Sequence, residues 1–90
     1  MANTRSAAKR ARQALRRRMQ NRSRRTAART ATRKVREAVT AGDAEAYEAA
    51  LSRAYSLWDR AAKRGAIHTR KADRYKRRLA ALRARLHASE

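Results

Sequence analysis

The sequence has no cysteine, no proline and no phenylalanine, and only two glycines in 90 residues. Without cysteine there is no disulfide framework and no thiolate metal site, so cytoplasm is the expected location. No apolar run approaches the roughly 20 residues that a membrane-spanning helix needs, and the first residues lack the apolar segment of a secretory signal. These absences exclude a disulfide-rich secreted domain and predict that the chain does not enter a membrane.

Large apolar side chains are also scarce. Of the 38 residues behind the hydrophobic fraction of 42%, 23 are alanine, which leaves 15 larger side chains to exclude water. This predicts one small domain over residues 1–90 with a thin core and no concave, partly dry site for catalysis or for a small-molecule substrate. His68 and His87 have no third ligand type clustered near them, so no metal site and no cofactor are expected.

Acidic residues are few and unevenly placed. Residues 1–36 contain 14 Lys or Arg and no acid, residues 37–59 contain 1 and 5, and residues 60–90 contain 11 and 2. The net charge of +19 opposes compaction unless a polyanion neutralises it. Arg outnumbers Lys by 21 to 5, and the forked guanidinium group suits phosphate oxygens. A nucleic acid is therefore the favoured partner.

The residues that remain are mostly strong helix formers, which predicts an all-α chain. Gly42 and Gly65 lie where a helix would need a left-handed residue to end, so they divide the chain into three helices. Asp43 is the expected N-cap of the second helix and Thr69 of the third. The predicted helices span about residues 4–41, 44–64 and 70–87. The predicted architecture is a three-helix bundle with a long, basic, extended N-terminal helix.

Apolar residues at steps of three and four predict which helix faces pack together. The second and third helices have well-formed stripes and should pair antiparallel, whereas the stripe of the first helix is mostly methyl groups and should bury little. A first helix of ~55 Å at about 1.5 Å per residue is longer than its partners can cover, so part of it must face something else. The stripes are Ala8, Ala11, Leu15 and Met19, then Ala28, Ala31, Val35 and Ala38, in the first helix; Tyr47, Leu51, Ala54, Trp58 and Ala61 in the second; and Ala72, Tyr75, Leu79, Leu82 and Leu86 in the third.

Individual polar and aromatic residues have competing interpretations. Tyr55 lies off the second stripe and is the best candidate for a partly exposed aromatic residue. His68 is either a turn or cap residue beside Gly65 or a hydrogen-bond donor to nucleic acid. Asp59 and Asp73 are expected to be solvated ion-pair partners.

The residues alone are compatible with several classes of binding protein. An architectural or nucleoid-type DNA-binding protein fits the composition, and so does a helical bundle that pairs with an acidic protein. A dimeric zipper is disfavoured because the chain turns at Gly42 where a leucine repeat would be needed. A cationic membrane binder is disfavoured because the apolar faces lack bulk.

Several segments resemble the bacterial family of small-subunit ribosomal protein twenty. The most specific is the segment from Asp59 to Leu79, DRAAKRGAIHTRKADRYKRRL, and the resemblance covers essentially the whole chain. The sequence departs from it at Arg70 and Asp73, where the family commonly has Asn and Ala. The other matching segments are Met1-Ala2-Asn3, Ser6-Ala7-Ala8-Lys9-Arg10, Arg12-Gln13, Asn21-Arg22-Ser23, Arg29-Thr30 and Arg33-Lys34-Val35.

This resemblance implies a cytoplasmic component of the small ribosomal subunit that binds its RNA directly and early in assembly. It is expected to hold RNA and to catalyse no reaction. RNA rather than DNA is then the expected partner, beside neighbouring ribosomal components and with no homo-oligomer. The first and third helices should clamp separate RNA segments through phosphate contacts, with shape and backbone read more than sequence. The residues expected to contact RNA are Ser6, Lys9, Arg10, Arg12, Gln13, Arg16, Arg17, Asn21, Arg22, Arg24, Arg25, Arg29, Arg33, Lys34, Lys63, His68, Lys71, Arg74, Lys76 and Arg78.

Overall fold

The computed structural model describes residues 2–88, and the side chains of residues 4–86. The helices are α1 (Ala2–Ala41), α2 (Ala44–Lys63), α3 (Thr69–Ala81) and the short α4 (Arg83–Ala88), and the described range contains no strand. The predicted all-α class and the long first helix are confirmed. The molecule is elongated, with extents of 70 × 21 × 13 Å.

Both glycines end helices as predicted. Gly42 and Gly65 have φ angles of 71° and 76°, which is the left-handed region that glycine adopts without steric cost. After α2, the Gly65 N–H donates to the Ala62 carbonyl at 3.1 Å and the Ala66 N–H donates to the Ala61 carbonyl at 2.8 Å. This pair of bonds satisfies carbonyls that the helix end would leave unpaired. The same pattern follows α1 at Gly42.

The helix starts agree with the sequence at one position and not at another. The Asp43 carboxylate accepts a hydrogen bond from the Ala46 N–H at 3.0 Å, so its predicted cap is confirmed. The prediction of Thr69 as the cap of α3 is wrong, because His68 holds that position and its Nδ1 accepts from the Arg70 N–H at 3.1 Å. The His68 imidazole accepts from Arg70, the second residue of the helix, so the cap lies one residue before the position predicted for Thr69.

The helix predicted over residues 70–87 is interrupted at Leu82. The Leu82 N–H donates to the Leu79 carbonyl at 3.3 Å, and the Arg85 N–H donates to the Leu82 carbonyl at 3.0 Å. These bonds span three residues instead of four and tighten the chain between α3 and α4. Neither glycine nor proline occurs there, so the sequence carries no local signal for the break.

The most extensive interface joins α1 and α2. On α1, Ala28 and Val35 are fully buried and Ala31 and Ala38 nearly so. The expectation that the first stripe buries little is therefore wrong for this half of the helix. Small side chains let two helix backbones approach closely, so a stripe of methyl groups still forms a tight interface.

The predicted antiparallel pairing of α2 and α3 is confirmed. The Tyr47 hydroxyl, near the start of α2, donates to the Leu79 carbonyl at 2.6 Å, and the Tyr55 hydroxyl donates to the Lys76 carbonyl at 3.3 Å. Trp58 stacks on Tyr75 with ring centroids 4.4 Å apart. Tyr47 and Trp58 are core residues, while Tyr55 is half-buried, as its place off the stripe predicted.

The first half of α1 lies outside this core. All side chains from residue 4 to residue 20, here called the projecting half, are exposed, and Leu15 and Met19 keep 53% and 65% of their surface. The expectation that these two residues extend the packing stripe of α1 is wrong. Met19 and Ala28 are nine residues apart, which at about 100° per residue is about half a turn beyond two full turns. Leu15 and Met19 therefore point away from α2.

Candidate nucleic-acid interface

The side of α1 that faces away from α2, here called the outer face, is cationic along the helix. Because the core side is fixed by Ala28 and Val35, the residues about half a turn away must face solvent. Those residues are Leu15, Met19, Arg22, Thr26 and Arg33, with Arg29 at the edge of the face, about 100° from Ala28, and all of them are exposed. No acid occurs between residues 4 and 36. Residues 4–36 therefore present positive charge without internal neutralisation.

Many of the predicted contact residues on α1 are free to bind a ligand. Within the described part of the chain, no side-chain hydrogen bond or ion pair holds seven of the predicted cations, and each of them is exposed. Ser6 and Gln13 are exposed on the projecting half as well. The seven cations are Lys9, Arg12, Arg16, Arg17, Arg22, Arg29 and Lys34.

Three other predicted cations make local contacts along the helix. The Arg10 Nε donates to the Ser6 carbonyl at 3.3 Å, and an Arg24 nitrogen donates to the Asn21 side-chain oxygen at 2.9 Å. Arg33 approaches Glu37 at 3.8 Å across an exposed surface. The contacts of Arg10 and Arg33 are exposed and contribute little to stability, so these two side chains can be redirected toward a phosphate at small cost. Arg24 and Asn21, by contrast, are half-buried.

Arg25, unlike the exposed cations near it on α1, binds another part of the protein. Its guanidinium group is half-buried and donates to the carbonyl of Ala66 at 3.1 Å. Ala66 belongs to the turn between α2 and α3, two residues before His68. The contact therefore joins the middle of α1 to the turn between α2 and α3.

The predicted residues of the third region differ in how free they are. Lys63, Arg74 and Arg78 are exposed, and Lys71 is half-buried. Lys76 donates to Asp59 at 2.9 Å and lies 5.1 Å from the centre of the Tyr55 ring. The hydrogen bond to Asp59 raises the pKa of the Lys76 ammonium group above its ordinary value of 10.5. Lys76 therefore stays charged but is already partnered, and the interpretation of Asp59 as an ion-pair partner is confirmed.

His68 takes the structural interpretation offered for it, as a cap residue. Its Nδ1 accepts the bond from Arg70 and so carries no proton in this arrangement, which leaves the proton of the neutral ring on Nε2. The residue is exposed, so Nε2–H remains able to donate outward. Capping therefore leaves the predicted contact to RNA open.

Several cations that were not among the predicted RNA contacts share these surfaces. Arg70 and Arg77 line an open groove on α3 with Tyr55, Asp73 and Arg74. Arg5, Arg18 and Arg36 are exposed on α1. The sequence does mark these residues as candidates for RNA contact, because each is basic and lies on a cationic helix. It does not show which cations of a helix face solvent, because that depends on which side of the helix packs against the core. By contrast, Arg83 is held by two bonds to Glu48, at 2.7 and 3.0 Å.

The described residues offer little for other chemistry. They contain no group of three His, Cys, Asp or Glu side chains that could hold a metal ion. None of the helices in the described range has the length and apolar character needed to cross a bilayer.

The sequence matches the family described as ribosomal protein S20 over residues 2–83. It is 53% identical over 81 residues to the small ribosomal subunit protein bS20 of Aliivibrio fischeri (strain MJ11) and to that of Aliivibrio salmonicida (strain LFI1238). Both alignments cover 90% of this chain and 94% of the relative. Identity to the bS20 protein of Laribacter hongkongensis (strain HLHK9) is 52% over 81 residues, covering 90% of this chain and 93% of the relative. The resemblance seen in the segment around Gly65 is thus confirmed, and the chain belongs to the ribosomal protein S20 family, a family of structural ribosomal proteins and not of enzymes.

Proposed function

We propose that this chain binds small-subunit ribosomal RNA directly and holds separate RNA segments together during assembly of the subunit. As a member of the ribosomal protein S20 family, it has a structural role in the small ribosomal subunit, in the cytoplasm. The proposal adds the manner of binding, in which residues 1–90 act as one RNA-binding domain through phosphate contacts. Neighbouring ribosomal components complete its surroundings, and no second copy of the chain takes part.

The observation that carries the proposal is the excess positive charge of α1. Within the described part of the chain, Arg22 and Arg29 are exposed and held by no side-chain contact. No acid occurs between residues 4 and 36, and Arg33 approaches only Glu37, at 3.8 Å. Like charges four residues apart destabilise a helix in water, whereas a row of phosphates would attract these cations and neutralise them. A nucleic acid is the partner that removes this cost along the whole helix.

Two contact regions support a clamp rather than a single docking patch. The projecting half extends beyond α2, while Lys63, His68 and Arg74 lie at the turn between α2 and α3 and on α3 itself. The Arg25 contact to Ala66 fixes the distance between the regions. An elongated molecule 70 Å long can therefore reach phosphates of more than one RNA segment. The predicted contact residues in both regions are proposed to make these bonds, and Arg25 is proposed to act through its contact with the turn.

A-form RNA favours recognition of this kind. Its major groove is too deep and narrow for side chains to read, while its minor groove and backbone are accessible. Flexible Arg and Lys side chains on exposed helices suit backbone recognition, so we expect few contacts to base edges. The alternative of a nucleoid-type DNA-binding protein has no support from the family match.

The test is binding of the full chain to small-subunit ribosomal RNA, with duplex DNA as competitor, over a range of salt concentrations. We expect RNA to outcompete DNA at moderate salt. Arg29→Gln should lower the salt dependence of binding by about one phosphate contact, a change of ~0.7–0.9 in the slope of log K against log salt concentration. Arg83→Gln is the control, because it removes the same charge from a residue already held by Glu48. Equal competition by duplex DNA would overturn the proposal, and so would the same slope change in both variants.

A further inference from the structure

Leu15 and Met19 form an exposed apolar patch on an otherwise cationic helix. They keep 53% and 65% of their surface and are the only large hydrophobic residues that are exposed among the described side chains. Shallow depressions lie on either side of Met19, one lined by Arg12, Leu15 and Arg16 and the other by Arg22 and Thr26. The apolar patch is therefore set among arginines and not among residues of the core.

Helical geometry places these arginines on both sides of the patch. At about 100° per residue, Arg16 and Arg18 lie about 80° to either side of the line through Leu15 and Met19. Arg12 and Arg22 lie closer, at about 40° on opposite sides. The surface thus has an apolar centre and two cationic edges.

The same line continues into the rest of the outer face. Arg22 and Arg33 follow Met19 on the side of α1 that points away from α2, and Leu15 and Met19 are exposed, so none of the described helices covers the patch. The positive charge around it disfavours a second copy of this chain. The charge and this continuity with the proposed RNA-binding surface favour a polyanion with an apolar strip between two rows of phosphates.

We infer that the projecting half of α1 lies against the shallow minor groove of an RNA helix, with Leu15 and Met19 on the ribose and base-edge floor of the groove. Arg16 and Arg18 then reach the phosphates of opposite strands. The inference rests on the proposed function and adds to it a non-electrostatic contact. A-form RNA provides such a floor, because its minor groove is wide and displays riboses and base edges.

The apolar contact has its own signature in binding experiments. In the full chain, Leu15→Gln with Met19→Gln keeps the charge and a good helix former at each position. We expect Kd for small-subunit ribosomal RNA to rise about tenfold, from loss of part of the apolar burial, with an unchanged salt slope. The exchange Leu15→Met with Met19→Leu is the matched control and should bind as the natural chain does.

The outcomes separate this inference from the function on which it rests. If the natural chain binds RNA and the double Gln variant binds equally well, the apolar contact is wrong and the proposed function stands. If the natural chain shows no preference for ribosomal RNA, the proposed function itself fails.

A second measurement identifies what covers the patch. Photo-methionine in place of methionine puts a photoreactive group at Met19 in assembled subunits. Crosslinking to RNA supports the inference, provided that it is lost in a Met19→Leu chain, which retains only Met1. Crosslinking of Met19 to a protein would overturn it.

Discussion

The indole N–H of Trp58 donates to the hydroxyl of Thr32 at 2.9 Å, and that hydroxyl donates to the carbonyl of Ala28 at 3.0 Å. Trp58 and Thr32 are 2% and 5% exposed, so the chain of bonds lies inside the α1–α2 interface. Thr32 is the only buried polar residue among the described side chains. It allows the bulkiest side chain of the molecule to enter a thin core without an unpaired donor.

Thr32→Val should destabilise the protein. Valine keeps the shape of threonine but removes the acceptor of the Trp58 N–H, and a buried unpaired donor costs about 1–3 kcal/mol. Thr26→Val, on the exposed outer face of α1, is the control and should change stability by less than about 0.5 kcal/mol. Urea unfolding followed by Trp58 fluorescence measures both. Equal stability of the Thr32→Val variant and the natural chain would show that the bond contributes nothing.

Ionisation of Tyr47 should lower the stability of the protein at alkaline pH. Burial raises the pKa of the Tyr47 phenol above its ordinary value of 10.0, and its hydroxyl is the donor to the Leu79 and Ala80 carbonyls. Above pH 10 the unfolded chain loses this proton while the folded chain keeps it, so the unfolded state binds fewer protons and the free energy of unfolding falls as pH rises. The contribution is complete below pH 10 and is lost as pH rises through the pKa of the folded state.

Unfolding free energies from pH 8 to pH 11 test this dependence. Tyr47→Phe should be less stable near neutral pH, because the donated bonds are gone, but its stability should fall less steeply above pH 10. Lys76 adds a decline of the same sign, since its pKa is raised as well, so some slope should remain. A Tyr47→Phe variant with the full alkaline slope would contradict the assignment to Tyr47.

Local features of this fold could be predicted from the sequence. Gly42, Gly65 and Asp43 act through their own backbone or through bonds a few residues away, so their positions identified the helix ends. The antiparallel pairing of α2 with α3 followed from Tyr47, Trp58 and Leu79, whose size leaves few other places for them. In each case a signal within one turn of helix, or a large side chain, determined the outcome.

Other features depended on which face of α1 has a neighbour. Apolar periodicity put Met19 and Ala28 in one stripe, although nine residues separate them and half a turn lies between their directions. The phase difference is readable from the sequence, but which of the two faces packs against α2 is not. The same limit applies to the candidate site, because the charge count marks α1 as cationic without separating Arg25, which binds the Ala66 carbonyl, from the exposed Arg29.

Arg25 and Arg29 should therefore respond differently to the same substitution. Arg25→Gln removes the bond to Ala66 and should lower the unfolding free energy by about 0.5–1.5 kcal/mol in the absence of RNA. Arg29→Gln should leave it unchanged or slightly raised, because an exposed like-charge contact is lost. Urea unfolding without RNA distinguishes them, and equal stability of the two variants would refute a structural role for Arg25.

Gly65→Ala should strain the turn between α2 and α3. A Cβ at this position meets no atom within 4 Å, so the cost comes from the φ angle of 76° and not from a clash. Holding an alanine there costs about 1–2 kcal/mol. Gly65→Asn should cost less, since asparagine tolerates this conformation better. If both variants were as stable as the natural chain, the turn would have to adopt another conformation at no cost.

The projecting half should gain helix when RNA binds. Its side chains are all exposed, so its helicity depends on local propensity and charge rather than on packing. Arg12 and Arg16 are like charges four residues apart, as are Arg18 and Arg22, and each such pair costs roughly 0.2–0.5 kcal/mol in water. We therefore expect the helical circular dichroism signal of the free chain at low salt to be incomplete and to rise on addition of small-subunit ribosomal RNA.

Reversing one charge tests whether repulsion between arginines lowers the helicity of the projecting half. Arg12→Glu turns the pair with Arg16 into an attractive one, with the acid N-terminal to the base, which is the favourable order in a helix. The free variant should be more helical than the natural chain, gain less helix with RNA and bind it more weakly, because one phosphate contact is lost. Full helicity of the natural free chain at low salt would contradict the prediction, since repulsion along residues 4–20 would then be too weak to unwind them.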